Sequence, residues 1–586
     1  MPHKFHIPVL GLGFSIDTPL KVARYGISSV VSIVDDDLTE RMRKYHSQLN
    51  GISFHPIAKT EECFRTKRIT AYLNLLHDLV DQQFENLKRQ DFVPGSDLCR
   101  YFDLLPHTSQ LRQGYELMME YPEGESKKIF QQLLRSKMIK GSIDVNIMAK
   151  VDKLNFVKGK YLGDDQTDAL AALKGFAESK LEGAVVLSAG MNPKLYSFIE
   201  RFKEFFPNEK GEFNKRIILK VSDFRSALIQ SKFLAKKGLW VSEFRIESGL
   251  NCGGHAFATD GFLLGPILED FKFNRSAMQA ELFSLYENAL QQKQLAVNKL
   301  PQQKITVQGG IGTADENQFL LKHYQLDATG WGSPFLLVPE VTNVDEQTLN
   351  QLASANQDDY YLSNSSPLGV LFNNFRHASI EKLRLKRIAD GKPGSPCTKK
   401  YLCNNTEFTA EPICTASKKY QQLKIKELNA ANLTPTAYNE RFAQITDKVC
   451  LCEGLCTSTY IKTQQLKPKE NTAVAICPGP NLAFFNSVYS LDEMVNHIYG
   501  NADLLAQIDR PHVFINELNL YIDYLNTQVK LYLKEVNDKK VKYLNSFKLQ
   551  LEQGVSYYKS LFNDWPNTDF LTQLFGAEQR LLSIKI

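Results

Sequence analysis

The chain has 586 residues, 43% hydrophobic and 23% charged, with 70 basic against 65 acidic side chains and a formal net charge of +5. Those values describe a folded chain with a sizeable core, and so small a positive charge argues against a dedicated nucleic-acid binder or a polybasic membrane-surface protein. No apolar run reaches the ~18 residues of a membrane span, and the mixed opening is no secretory signal, so a cytoplasmic protein with reduced thiols is expected.

The first expected strand is 7–13, Ile-Pro-Val-Leu-Gly-Leu-Gly. A helix through Leu20, Val22 and Ala23 follows, then a stop at Gly26 and an apolar strand over 29–34. This is strand, helix, strand with turn residues between. Residues 60–140 carry Leu, Lys, Arg, Glu and Gln at helical spacing and read as a helical insertion. Strands resume at 142–148, 183–188, 216–221, 240–246, 305–307 and 327–329. Helices are expected at 192–206, around Ala227, Leu228, Phe233 and Leu234, at 276–298 and at 314–324. About seven or eight βα units predict a parallel sheet closed into a (β/α)8 TIM barrel, built from 1–59 and 141–345. Its active site belongs at the C-terminal strand ends.

Residues 346–480 read as a loop-rich, cysteine-containing segment. Its stretch 365–377 mixes aromatic and polar groups and suits a lid over the barrel mouth. The basic run 382–387 reads as a solvated helix face. Residues 481–586 read as helical. There Leu518, Ile522, Leu525, Val529 and Tyr532 form an apolar stripe that packs on its own chain or, alternatively, makes a homodimer interface.

Three glycine-rich strand ends carry the chemistry. Ser248-Gly249-Leu250-Asn251-Cys252-Gly253-Gly254-His255 follows one strand, Gly309-Gly310-Ile311-Gly312 the next, and Gly330-Trp331-Gly332-Ser333 the one after. Glycine lets the backbone approach a phosphate and offers free N–H donors. Phosphate sites of such barrels often lie between the last two strand ends. This cradle suits a sugar phosphate as well as a flavin. His255 is a candidate base, because imidazole titrates near neutrality.

Together with the N-terminal Ile-Pro-Val-Leu-Gly-Leu-Gly-Phe pattern, Val145-Asn146-Ile147 and Lys220-Val221-Ser222, these signals resemble the nitronate monooxygenase (2-nitropropane dioxygenase) family of FMN barrels. The match runs over 5–57 and 141–342. The wider group includes flavin-dependent enoyl reductases of fatty-acid and polyketide synthesis. The resemblance implies FMN as cofactor, with Gly11, Gly13 and Phe14 along the flavin ring, Asn146 at its pyrimidine side and Lys220 near N1 and the C2 carbonyl. Gly253 and Gly254 would allow close approach. Gly309, Gly310, Gly312, Gly330, Trp331, Gly332 and Ser333 would form the phosphate end. His255 matches the family's base, and Lys220 would stabilise charge on the ring. The chain departs from the family at Asn251 and Cys252, which stand where an acidic and a small residue are usual, and at the Leu-Gly-Phe opening. The substrate therefore does not carry over. Cys252 is read as a packed thiol, with a nucleophile as the alternative.

Cys397, Cys403, Cys414, Cys450, Cys452 and Cys456 cluster in sequence. Without a Cys-x-x-Cys they read as reduced thiols, the alternatives being a metal or iron–sulfur site or a redox disulfide. The expected function is an FMN-dependent oxidoreductase of the nitronate monooxygenase kind. The alternatives are an enoyl-thioester reductase acting on acyl groups carried by an acyl carrier protein, a non-redox phosphate-binding barrel, and a barrel that has lost its chemistry and serves as a scaffold.

Overall fold

Eight parallel strands close into a barrel in the computed structural model, which describes residues 2–148, 152–157, 160–188, 190–251, 260–296, 299–532, 538–561, 563 and 565–586. They are β1 (Phe5–Ile7), β2 (Ser28–Ser32), β3 (Ile143–Ile147), β4 (Gly183–Leu187), β5 (Lys215–Val221), β6 (Val241–Glu247), β7 (Lys304–Gln308) and β8 (Ala328–Gly330). Each pairs with its neighbours in chain order, and β8 closes on β1 through Phe5 opposite Thr329 and His6 opposite Gly330. The (β/α)8 expectation holds.

Side-chain alternation explains how the strands are buried on both faces. Ile143, Val145 and Ile147 of β3 join the main core, as do Ile217, Leu219 and Val221 of β5. The intervening residues face the barrel interior, which is divided. Val9, Val30, Ala184, Val186 and Ile218 form a small apolar cluster of their own. Elsewhere the interior is ionic: Arg245 Nε donates to Glu243 Oε1 at 2.8 Å, Thr306 Oγ1 donates to the same oxygen at 2.7 Å, and Asp144 lies 3.7 Å from Arg245. Burial opposes the charge on Glu243, but the Arg245 guanidinium holds its carboxyl down at about 2. Burial, reinforced by Arg245, keeps His6 neutral at about 3.

The insertion is helical, with helices Phe64–Lys88, Asp97–Asp103, Gln110–Glu120 and Glu125–Lys137. The first packs between the helices Asp36–Leu49 and Asp168–Ala177, so it completes the outer ring of the barrel.

The segment beyond the barrel is more helical than its composition suggests, with helices Lys418–Ala430, Pro435–Thr446 and Leu451–Lys462. Ser417 and Thr434 cap the first two, and Pro435 occupies a first-turn position that needs no N–H donor. A hairpin of β9 (Tyr360–Ser363) and β10 (Phe372–Phe375) precedes them. At the C-terminal end, helices Val513–Tyr532, Asp538–Leu561 and Thr568–Ser583 pack together. Leu518, Ile522, Leu525 and Val529 are buried within the chain itself, so the apolar stripe is spent on an intramolecular contact. No described helix is long and apolar enough to cross a membrane.

Candidate functional site

The inward residues at the C-terminal ends of the strands form the floor of a cavity of about 380 Å³. Ser32, Asn146, Ser188, Lys220 and Glu247 supply that floor from β2 to β6. Val9, Gly11 and Leu12 wall it from the loop after β1. The roof comes from beyond the barrel, from Leu368, Phe372, Tyr401, Leu402, Leu455 and Cys477 among others.

Glu247 organises the floor. Its Oε1 accepts from Lys220 Nζ at 3.0 Å, Asn251 Nδ2 at 2.5 Å and Gln308 Nε2 at 2.9 Å. Lys220 is thus neutralised by a carboxylate that sequence reasoning did not single out. The signal was present: Glu243, Arg245 and Glu247 recur at the period of 2 that marks one strand face. Across the floor, Asn146 Oδ1 and Ser32 Oγ are buried without a hydrogen-bond partner among the described residues. A buried acceptor left unmet is costly, so Asn146 offers an acceptor to whatever occupies the cavity.

The roof is held down by charge. Lys399 pairs with Asp35 just beyond β2, and Tyr401 Oη donates to Asp35 Oδ1 at 3.1 Å and Asp36 Oδ1 at 3.2 Å. Burial works against the Asp35 charge, but Lys399, the Leu38 N–H and the Cys456 thiol hold its carboxyl below the usual range. The helix Leu451–Lys462 seats directly on Gly13, whose N–H donates to Leu455 O at 3.1 Å. A Cβ at Gly13 would lie 2.5 Å from Thr459 Oγ1.

Gly13 therefore serves helix docking rather than the cavity surface, and Phe14 is buried behind Gly11. Gly11, Asn146 and Lys220 do line the cavity. A second, smaller cavity of about 10 Å³ lies among Gly309, Gly310, Gly330, Gly332 and Ser333, together with Pro8, Ile311, Pro334, Asn251 and Asn481. That is space for about one water. The amides of Gly310, Ile311, Gly332 and Ser333 have no hydrogen-bond partner among the described residues, so this cradle presents donors suited to an anion. Asn251 lines both cavities and stands between them.

Two expected phosphate residues sit elsewhere. The N–H of Gly312 donates to Glu316 Oε2 at 2.8 Å, the same oxygen that accepts from the Thr313 N–H in the capping box of the helix Ala314–His323. Trp331 is 1% exposed, with its ring edge-to-face on His497 at 6.0 Å, and is a core residue. Cys252, Gly253, Gly254 and His255 lie outside the described residues. Among the described residues no group of three or more His, Cys, Asp or Glu is placed to hold a metal ion. Cys397 and Cys403 approach to 3.9 Å between sulfurs, while Cys414, Cys450, Cys452 and Cys456 are buried free thiols.

No known family's sequence profile matches the chain, and no curated protein matches it in sequence. Among solved structures it is similar to the enoyl reductase domain of MlnA from the macrolactin biosynthesis cluster of Bacillus amyloliquefaciens, at 14% identity, over 76% of this chain and 88% of that one, with a TM-score of 0.30.

Proposed function

We propose that the protein is an FMN-dependent oxidoreductase of the nitronate monooxygenase kind, acting on a small substrate. The observation that carries the reading is the pairing of two cavities across Asn251. One is ring-sized, with an unmet acceptor on Asn146 and the Lys220 ammonium at its floor. The other is a cradle of unpaired amides at the ends of β7 and β8. A heterocycle with a phosphate tail suits that pair once Asn251 turns aside, which would join the two spaces and widen the cradle beyond its present room for about one water. At about 380 Å³ the larger cavity is at the small end of the ~300–1,000 Å³ typical of ligand pockets, which favours a compact substrate.

In this proposal Gly310, Ile311, Gly332 and Ser333 would hold the phosphate through backbone N–H groups. Asn146 would accept from the ring, with Gly11 alongside, and Lys220, steadied by Glu247, would donate to it. FMN, when bound, would supply the acceptor for hydride or electrons. The roof would limit the access of water to the floor. His255 would hold and move the substrate proton. The test is His255→Ala in the full chain: cofactor content unchanged, turnover of small nitronates reduced ~10²-fold or more. Unchanged turnover removes His255 from the proposal.

One observation favours the alternative, reduction of an enoyl thioester. Ser226 lines both the cavity and an open groove of about 310 Å³ beside Met191, Arg225 and Ile229. A longer acyl substrate would have that path. Turnover of enoyl thioesters, with none of nitronates, selects this alternative.

A further inference from the structure

The carbonyls of the β7 loop are tied down one after another. Gly309 O accepts from Ser248 Oγ at 2.8 Å, Gly310 O from Arg510 Nη2 at 2.5 Å, Ile311 O from Asn481 Nδ2 at 3.0 Å and Gly312 O from His497 Nε2 at 2.8 Å. In a trans peptide the C=O of one residue and the N–H of the next point in opposite directions. Neither Ser248 nor Arg510 lines the cradle. Fixing the carbonyls of Gly309 and Gly310 on these residues therefore turns the amides of Gly310 and Ile311 the other way. Successive N–H groups turned to one side make an anion-binding concavity.

Three of the four donors lie beyond residue 480, and they are locked themselves. Arg510 Nε donates to Asn481 Oδ1 at 2.9 Å, and Nη1 to Glu316 Oε1 at 2.6 Å. Arg510 and Glu316 are each 3% exposed, so the guanidinium charge is matched where it stands. Arg510 works here as a shaped fork rather than as a free cation. His497 Nδ1 accepts from Leu504 N–H at 3.1 Å, which leaves its proton on Nε2 for Gly312.

We infer that Arg510, Asn481 and His497 form a brace, supplied from outside the barrel, that holds the 309–312 loop in its anion-accepting shape and so sets the affinity for a phosphate monoester. Arg510 and His497 are positioning residues, and Asn481 both braces the loop and lines the cradle. The inference rests on the reading that the cradle takes the phosphate of FMN.

The experiment compares FMN with riboflavin, which lacks the phosphate, on the full chain and on Arg510→Lys and Asn481→Ala, by flavin fluorescence titration. Each variant should lose FMN affinity about tenfold or more, the scale of one charge-assisted hydrogen bond, with riboflavin affinity changed less than about twofold. Equal losses for both flavins, or no loss, overturn the brace. Asn481→Ala leaves the Arg510–Glu316 pair in place and carries the test if Arg510→Lys unfolds. A wild-type chain that binds neither flavin overturns the FMN reading, and inorganic phosphate then decides. A melting-temperature rise with phosphate in the wild type but not in the variants supports the brace. An equal rise in all, or none in any, overturns it.

Discussion

Glu247→Gln separates charge from shape at the cavity floor. The amide oxygen of Gln reproduces the Oε1 acceptor, but Lys220 loses its counter-charge. At 3.0 Å and an effective dielectric of ~20, the Coulomb attraction is about 5–6 kcal/mol before desolvation. The two side chains are 13% and 10% exposed, and desolvation offsets much of that attraction. Breaking the pair should therefore destabilise the chain by about 2–3 kcal/mol, short of the ~3–5 of a fully buried pair because the floor faces a cavity. Removing both charges relieves the stranded ammonium. The double variant Lys220→Met/Glu247→Gln should thus be more stable than Glu247→Gln alone, by about 1 kcal/mol or more. Urea unfolding followed by tryptophan fluorescence reads the four-member cycle. Additive effects, or a double variant less stable than Glu247→Gln, would refute the pairing as the organising contact of the floor.

Other sites give separate tests. Glu517 accepts from Gly249 N–H at 2.8 Å and Leu264 N–H at 2.7 Å. Burial pushes its carboxyl up to about 7 from 4.5, against the pull of those amides. A raised folded pKa means stability that is full below about pH 4.5 and lost as the pH climbs through about 7. The wild type should lose about 3 kcal/mol relative to Glu517→Gln across that window, and a flat difference from pH 4.5 to 8 contradicts this. For Asp35 the sign reverses: its depressed carboxyl contributes stability above the usual 3.8 that is lost as the pH falls through the folded value. Lys399→Met should therefore move the acid-unfolding midpoint to higher pH, and an unmoved midpoint removes the pair from roof docking. Gly310 has φ +80°, and a Cβ there would lie 2.5 Å from Leu250 Cδ1. Gly310→Ala should cost about 2–5 kcal/mol from left-handed strain and overpacking; a loss under ~0.5 kcal/mol by urea unfolding would show that the loop rearranges freely.

The barrel was legible because its strands are apolar runs separated by helices with turn residues between them, a pattern set by local physics. The cradle glycines were legible because each closes a strand. Gly13 shows the limit of that signal. A glycine marks close approach of backbone to something, and here that something is the helix Leu451–Lys462 rather than a ligand. Glu247 escapes a strand bounded at 240–246, which ends one residue short of the inward carboxylate. Asn481, His497 and Arg510 carry no local pattern at all. Their partners are 170 to 200 residues away in the chain, so only the packing of the C-terminal region on the barrel makes them part of the site.

The absorbance spectrum of the purified full-length protein tests the flavin assignment most directly. Flavin bands in the visible, with about one equivalent of FMN released on denaturation, are expected. A colourless protein that takes up no FMN on reconstitution contradicts it.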